Sequence, residues 1–356
     1  MYHIFQDRLL NALIMFKEVF KKITLLVIAA AGVFIILEFV LFRTILGLTG
    51  LEYFEIVKYD RILGWRLKNN FEGRHKELEW DVRFKTNSNG FRDEEHRLEK
   101  DKKRIIILGD SIAEGYGVRY DDVFANIIRN KLGADFEIFN FGVRGYDIIQ
   151  EYKCFLETGL QYKPDIVIQV LCDNDFSSGG MSQSSIFDAY LRYRPVYVIE
   201  GDKIVFSNAA EPYYREDAKK KNKYISQYKN YLLNFATIAY IRMGAKKILS
   251  FFQSKKNKKN NLINAYDRNY NKAVQIIYKD INRLKNENNF KFIMVTAWNN
   301  GCPPRELKNI ADENSIYYLN VQLGPNDYFR YNRHPNSVGH RKIADEILNF
   351  LENNLL

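Results

Sequence analysis

Cysteine is scarce in this sequence. Its 356 residues include three, Cys154, Cys172 and Cys302, and none forms a C-x-x-C pair. That excludes a disulfide framework and a cysteine-built zinc site, and allows one bridge at most. Phosphate-cradling loops are also missing. The stretch IIILGDSIAEGYGV (105–118) has Val118 and Arg119 after Gly117, where a P-loop needs lysine and then Ser or Thr. Its glycines at 109, 115 and 117 miss the G-x-G-x-x-G spacing too. No internal repeat is visible, and His75 and His96 lack metal-ligand spacing.

Acidic residues are absent where basic ones gather. The net charge is +10, yet residues 215–259 alone hold thirteen Lys or Arg against Glu216 and Asp217. The rest of the chain is therefore close to neutral. Such a field fits an anionic polymer or headgroup as partner, or a solvated helix face. Nucleic acid is not expected, because the location inferred next argues against it.

What is present begins with ITLLVIAAAGVFIILEFVLF (23–42), apolar except for Thr24 and Glu38. Twenty helical residues span about 30 Å, the thickness of a bilayer core. An all-round apolar segment is not a soluble amphipathic helix. No A-x-A site follows, and 22 residues precede it, so an uncleaved anchor is expected. Arg8, Lys17, Lys21 and Lys22 precede the span and only Arg43 follows closely. This predicts a cytoplasmic N-terminus and a periplasmic or extracellular body. Residues 1–22 space Ile4, Phe5, Leu9, Leu13, Phe16 and Phe20 as an amphipathic interfacial helix would.

Residues 43–103 form a lead-in, polar over 55–100 with short strand-like runs, closing on the turn signals of NSNGFRDEE. From 104 to 353 the pattern is β-α-β-α. Apolar runs at 104–109, 136–142, 165–171, 290–298 and 315–321 alternate with helical stretches at about 121–132, 146–159, 306–314 and 337–353. Strands without clean alternation indicate a parallel sheet covered on both faces. An insertion at about 176–288 interrupts the series, with a hairpin at 195–208 and helices at about 222–253 and 261–286. Ligands in such sheets bind at the C-terminal strand ends.

Those ends carry distinctive residues. The first delivers Gly109-Asp110-Ser111, the second Asn140-Phe141-Gly142, the third Asp173-Asn174-Asp175. His334 stands before the last helix in NRHPNSVGH. Hydrolysis needs a nucleophile, a base and donors for an oxyanion. Ser111 suits the first, opposite a tight turn made by Gly115 and Gly117, and His334 suits the second. The N–H groups of Ser111 and Gly142 and the amide of Asn174 suit the third. Asp110 reads as a cap, His340 as helix-surface packing, and Cys172 with Cys302 as either a bridge or two buried thiols.

In that order these residues resemble the SGNH or GDSL hydrolases. The family's four blocks are Ser in Gly-Asp-Ser, Gly after strand two, Asn after strand three and His near the C-terminus. Ser111, Gly142, Asn174 and His334 match them, over about 104–175 and 290–353. The lead-in is similar to that of membrane-anchored members. The resemblance implies a flavodoxin-like three-layer α/β/α sandwich with a parallel sheet. It also implies serine ester hydrolysis or acyl transfer, with no metal or organic cofactor. An ester-bearing envelope lipid or glycan is the expected substrate.

One position departs from the family. An acid usually lies two or three residues before its histidine; here those residues are Asn332 and Tyr331. The Asn332 amide oxygen can accept from the imidazole but cannot balance an imidazolium charge. A Ser-His dyad, a weak enzyme and an inactive binding module are all compatible with this. Asp327, further upstream, is a weaker candidate for the same place.

Overall fold

The computed structural model describes residues 2–45, 56–60, 62–76, 79–172, 175, 196–207, 263–298, 305–330, 332 and 334–356. The basic run 215–259 and the helix expected at 222–253 lie outside the described residues. Two compact units divide the chain: Met1–Glu52 with Ile225–Lys256, and Tyr53–Tyr224 with Asn257–Leu356.

In the first unit, α1 (Tyr2–Ile35) continues into a π-helical stretch, Ile36–Ile45. Residues Ile14–Leu41 are long and apolar enough to cross a membrane. Leu26, Val27, Ile28 and Ile36 lie on its open surface. Glu38 is fully buried.

The second unit begins with two antiparallel hairpins, β1 (Val57–Asp60) with β2 (Gly64–Leu67) and β3 (Glu72–Lys76) with β4 (Asp81–Lys85). The core sheet follows. Its strands are β5 (Lys103–Gly109), β6 (Phe136–Gly142), β7 (Ile166–Leu171), β10 (Lys291–Trp298) and β11 (Tyr317–Gln322). Between β7 and β10 lies the antiparallel hairpin of β8 (Val196–Glu200) and β9 (Lys203–Ser207). The core order is β11-β10-β7-β5-β6 and every pairing is parallel. Numbered within the sheet this is 2-1-3-4-5, the flavodoxin-like order, whose switch point lies between the first and third strands, β5 and β7.

The central strands are buried on both faces, so their sequences run apolar without alternation. Successive residues still point to opposite sides. Ile105 and Ile107 join Ile128 of α3 (Phe124–Leu132) and Ile343 and Ile347 of α7 (Ser337–Asn354) in one layer. Ile106 and Leu108 join Ile149 of α4 (Ile148–Cys154), Ile277 of α5 (Ile263–Asn288) and Leu307 of α6 (Arg305–Glu313) in the other. The short α2 (Ser111–Glu114) follows β5 directly. A three-layer α/β/α sandwich results, as expected.

The lead-in differs from its polar reading. Leu63, Trp65, Leu67, Phe84 and Phe91 are buried within the sheet's own core. Long-range hydrogen bonds fasten it: Trp65 Nε1 donates to Arg144 O at 3.1 Å, Tyr146 Oη to Trp65 O at 2.7 Å, and Gln150 Nε2 to Leu63 O at 2.6 Å. Charged residues between these apolar positions hide the pattern, because hairpin side chains alternate between the core and solvent.

Candidate active site

Ser111 stands two residues beyond Gly109, the end of β5, at the switch point. Asp110 caps α2, its Oδ1 accepting from Ile112 N–H at 2.9 Å. Ser111 is 8% exposed, more enclosed than an open nucleophile. Its backbone N–H donates to no partner among the described residues.

His334 arrives from the opposite end of the chain, on the loop between β11 and α7. Asn336 fixes that loop. Its Oδ1 accepts from Val338 N–H and Gly339 N–H at the start of α7, and its Nδ2 donates to Asn326 O and Tyr328 O. Phe329 N–H donates to His334 O at 3.1 Å, closing the loop on itself. Glu79, just before β4, accepts from Arg330 N–H at 2.6 Å and ties the loop to the lead-in.

The side chains converge. His334 Nε2 is 2.8 Å from Ser111 Oγ, and His334 Nδ1 is 2.5 Å from Asn332 Oδ1. Asn332 Oδ1 also accepts from the backbone N–H of His334 at 3.1 Å. That second bond determines the chemistry. A backbone N–H can only donate, so the amide must present oxygen, not nitrogen, toward His334. Nδ1 must then carry the proton, and Nε2 keeps a lone pair facing Ser111. Asn in place of Asp costs about 10⁴ in a serine protease because it selects the wrong tautomer. Here the backbone holds the amide in the orientation that selects the right one. Ser111 Oγ is also 3.1 Å from Asp110 Oδ2, but its single proton has the nearer acceptor in Nε2.

Aromatic rings enclose the imidazole. Tyr116, five residues after Ser111, stacks on His334 with centroids 4.3 Å apart and planes at 25°. His75 of β3 meets Tyr116 edge-on at 4.5 Å, and Trp80 meets it at 5.5 Å. Trp80 also packs on Phe329 at 4.6 Å. Gly117 lies beneath this pair at φ +82°, where a Cβ would come 2.9 Å from Trp80 and 3.0 Å from Phe329. Below Tyr116, the buried Glu114 carboxylate accepts from Arg144 Nε at 2.9 Å, and the Arg144 guanidinium lies 4.7 Å from the Tyr116 ring centre.

Arg92, from the turn that ends the lead-in, holds the backbone after α2. Its Nη1 donates to Gly115 O at 2.5 Å and its Nη2 to Val118 O at 2.8 Å. Burial pushes its pKa down to about 10, countered in part by the Glu114 charge.

The GDSL-like lipase/acylhydrolase family model matches residues 105–347. The chain belongs to that family. Similar solved structures include a GDSL-like lipase from Bacteroides thetaiotaomicron, at 14% identity and a TM-score of 0.35, with 72% of this chain and 91% of that one covered. The psychrotrophic esterase EstA from Pseudoalteromonas sp. is similar at 11% identity and a TM-score of 0.38, covering 71% and 98%. Among curated proteins, no sequence matches it.

Within this GDSL-family site, Ser111, His334 and Asn332 come together and other expectations change. Gly142, expected as an oxyanion donor, lies at the end of β6 beside α2. Its N–H donates to Asn140 Oδ1 at 3.0 Å. Its Cα lies so close to α2 that a Cβ would meet Glu114 N at 2.2 Å, so this glycine lets β6 and α2 touch. Asn174 lies outside the described residues. Asp327 is not at the imidazole; its Oδ2 accepts from Gly324 N–H at 2.7 Å. His340 is fully buried, not on a helix surface. Its Nδ1 accepts from Phe124 N–H at 3.3 Å, and burial lowers its pKa to about 3.

Cys172 is a buried thiol that donates to Asp110 Oδ2 at 3.4 Å, while Cys302 lies outside the described residues. Asp110, Cys172 and Asp175 bring ligand-type atoms within 4.8 Å of one another. Hydrogen bonds already link them, since Cys172 N–H donates to Asp175 Oδ2 at 2.7 Å. Burial, and then the Asp110 and Glu151 charges, raise the Asp175 pKa well above the carboxylate range.

Arg92, Tyr116 and Asn140 escape sequence reasoning. Asn140 Nδ2 donates to Ala113 O at 2.8 Å while its Oδ1 takes the Gly142 N–H. The only signal was position: Tyr116 and Asn140 lie inside the blocks that carry Ser111 and Gly142.

Proposed function

We propose that this chain is a membrane-anchored serine esterase or acyl-ester hydrolase of the GDSL family, acting through Ser111 and His334. The observation that carries the reading is the Asn332–His334–Ser111 chain of contacts, with the tautomer it requires. Ser111 Oγ attacks the ester carbonyl carbon as its proton passes to Nε2 of His334. The oxyanion is held by Ser111 N–H and, in the proposal, by Asn174. Collapse expels the alcohol, which takes the proton from Nε2. Water then attacks the acyl-serine, with Nε2 again as base. If an acceptor hydroxyl replaces water, the same steps make an O-acyl transferase.

The apolar helix Ile14–Leu41 supports a tether, and the flanking lysines support a cytoplasmic N-terminus with the catalytic unit outside. A tether keeps the site near an envelope lipid or glycan. The basic residues of 215–259 would hold an anionic polymer or headgroups there. Asn332 favours a second reading, a catalytically weak binding or assembly module for such a polymer, because an amide gives an imidazolium no charge support.

The test is release of p-nitrophenol from a simple ester, together with fluorophosphonate labelling. Turnover by the wild type, no turnover in Ser111→Ala and labelling at Ser111 are expected. A wild type that neither labels nor turns over would favour the binding module.

A further inference from the structure

The end of the lead-in closes on the core sheet through one histidine. His96 Nε2 is 2.8 Å from Asp93 Oδ2, and its Nδ1 is 3.2 Å from Glu137 Oε1 of β6. A carboxylate can only accept, so both contacts are hydrogen bonds only when both ring nitrogens carry protons. The geometry therefore selects the imidazolium; a neutral ring would turn a lone pair toward one carboxylate. Burial opposes the charge, but hydrogen bonds and charge from Asp93 and then Glu137 outweigh it and raise the pKa above 6.5. Asp93 Oδ2 has a second donor, since Asn140 N–H of β6 reaches it at 2.7 Å. The Asn140 side chain continues toward the site. Its Nδ2 donates to Ala113 O at 2.8 Å, and its Oδ1 accepts from Gly142 N–H at 3.0 Å. Ala113 lies in α2, two residues after Ser111. Asp93 and His96 stand outside the matched family stretch 105–347.

We propose that His96 is a positioning residue: its charged form fixes Asp93 on Asn140, and Asn140 in turn holds the α2 turn so that Ser111 faces His334. The inference rests on the esterase reading above. Other charged and titratable groups surround the ring. Arg129 of α3 donates to Asp93 Oδ1, and Tyr120 Oη donates to the same oxygen at 3.4 Å. Glu94 lies 3.8 Å from Arg129. Phe139 stacks on the imidazole with centroids 3.9 Å apart, and Tyr162 packs on Phe139 at 4.7 Å. Arg104 of β5 donates to Glu137 Oε2 at 2.8 Å, and its guanidinium lies 5.4 Å from the Phe139 ring centre. Arg104 also donates to Arg97 O at 2.8 Å and Leu98 O at 3.0 Å, which anchors the chain just after His96. The guanidiniums stay charged where an imidazolium loses its proton, and burial raises the pKa values of Tyr120 and Tyr162. His96 is therefore the group that switches in the neutral to mildly alkaline range. As pH rises through its raised pKa, one carboxylate meets a lone pair and the hold on Asn140 weakens.

The experiment compares purified full-length wild type, His96→Arg and His96→Gln in detergent, each with its melting temperature and its pH–rate profile on a p-nitrophenyl ester. Wild-type kcat is expected to fall about three- to tenfold as pH rises through the His96 titration, with little change in KM, since misplacement of a reacting group acts on the chemical step. His96→Arg keeps donors for both carboxylates and a permanent charge. It is expected to hold most of the plateau rate and to lack this alkaline fall. His96→Gln has no charge and is expected to run at the lowered rate throughout; His96→Arg serves if it does not fold. A wild type without the fall, or a fall that persists in folded His96→Arg, would overturn the proposal. Chemical shifts give a readout that does not need turnover. Wild-type His96 is expected to lose its second ring proton above pH 6.5, and the Gly142 amide to shift with the same midpoint. His96→Arg is expected to abolish that Gly142 shift. A Gly142 amide that ignores the His96 titration would also overturn the positioning role, whereas an inert wild type with the coupled shifts would reject only the esterase reading.

Discussion

His334 Nε2 and Ser111 Oγ are 2.8 Å apart although 223 residues separate them in the chain. The pair forms because β5 ends where the β11–α7 loop folds back, at the C-terminal edge of a parallel sheet. Asn332, two residues before His334, completes the line from the other side of the ring.

That line predicts the behaviour of Asn332→Asp. A carboxylate facing Nδ1–H favours the protonated imidazole, so the free base is lost at a higher pH than in the wild type. The acid limb of the kcat/KM profile should move up in pH, with the plateau unchanged or higher. Asn332→Leu removes the acceptor and should lower kcat by about 10² to 10⁴. pH–rate profiles of the two variants check this; an acid limb that stays in place in Asn332→Asp would contradict it.

Arg92 binds the carbonyls of Gly115 and Val118 from within the core. Arg92→Met leaves those carbonyls without a donor and should cost about 3 kcal/mol. It should also slow turnover, because the same backbone carries Tyr116. Urea unfolding of both proteins measures the first effect, and a loss under about 1 kcal/mol would show the bonds are replaceable.

Two glycines separate packing from backbone strain. Gly142→Ala drives a Cβ into the backbone of α2, 2.2 Å from Glu114 N, and should cost about 3 kcal/mol or more. Gly201→Ala, in the β8–β9 turn at φ +62° with open space around it, should cost about 1–2 kcal/mol. Melting temperatures of the pair rank the two effects. The reverse order would mean that β6 and α2 can move apart.

The buried His340 and the half-buried His96 give stability opposite pH dependences. The His340 pKa falls from 6.5 to about 3 through burial, so the unfolded chain binds more protons between those values. Its contribution is fully present above pH 6.5 and fades as pH drops toward 3, by at most about 1.4 kcal/mol per pH unit. Burial works against protonation of His96 as well, but hydrogen bonds and charge from Asp93 and Glu137 outweigh it and raise its pKa above 6.5. Its contribution is full below 6.5 and fades as pH rises through the folded value. Urea unfolding across pH should show a gentler acid slope in His340→Gln and a gentler alkaline slope in His96→Gln. An acid slope as steep as the wild type's in His340→Gln would assign it to the carboxylates.

The five core strands were legible because buried parallel strands need unbroken apolar runs, and the candidates Ser111, His334 and Asn332, which the fold brings into contact, stood out by residue type. The Gly142 N–H bond to Asn140 Oδ1 was not legible, because NFGVRGY carries no local cue for a side chain that folds back onto the backbone two residues on. The lead-in misled because alternate residues of a hairpin dilute the apolar signal, although Phe84 and Trp65 are buried with the sheet.

By itself, the sequence determined the α/β class, the apolar N-terminal helix and which side chains could serve as nucleophile and base. These follow from local periodicity and from chemistry that each side chain carries alone. Only the tertiary structure decided that Asn332 turns its oxygen to His334, that Tyr116 covers the imidazole and that Arg92 supports the turn beside Ser111. Each of these depends on a partner brought near by folding, and contact geometry of that kind leaves no periodic trace along the chain.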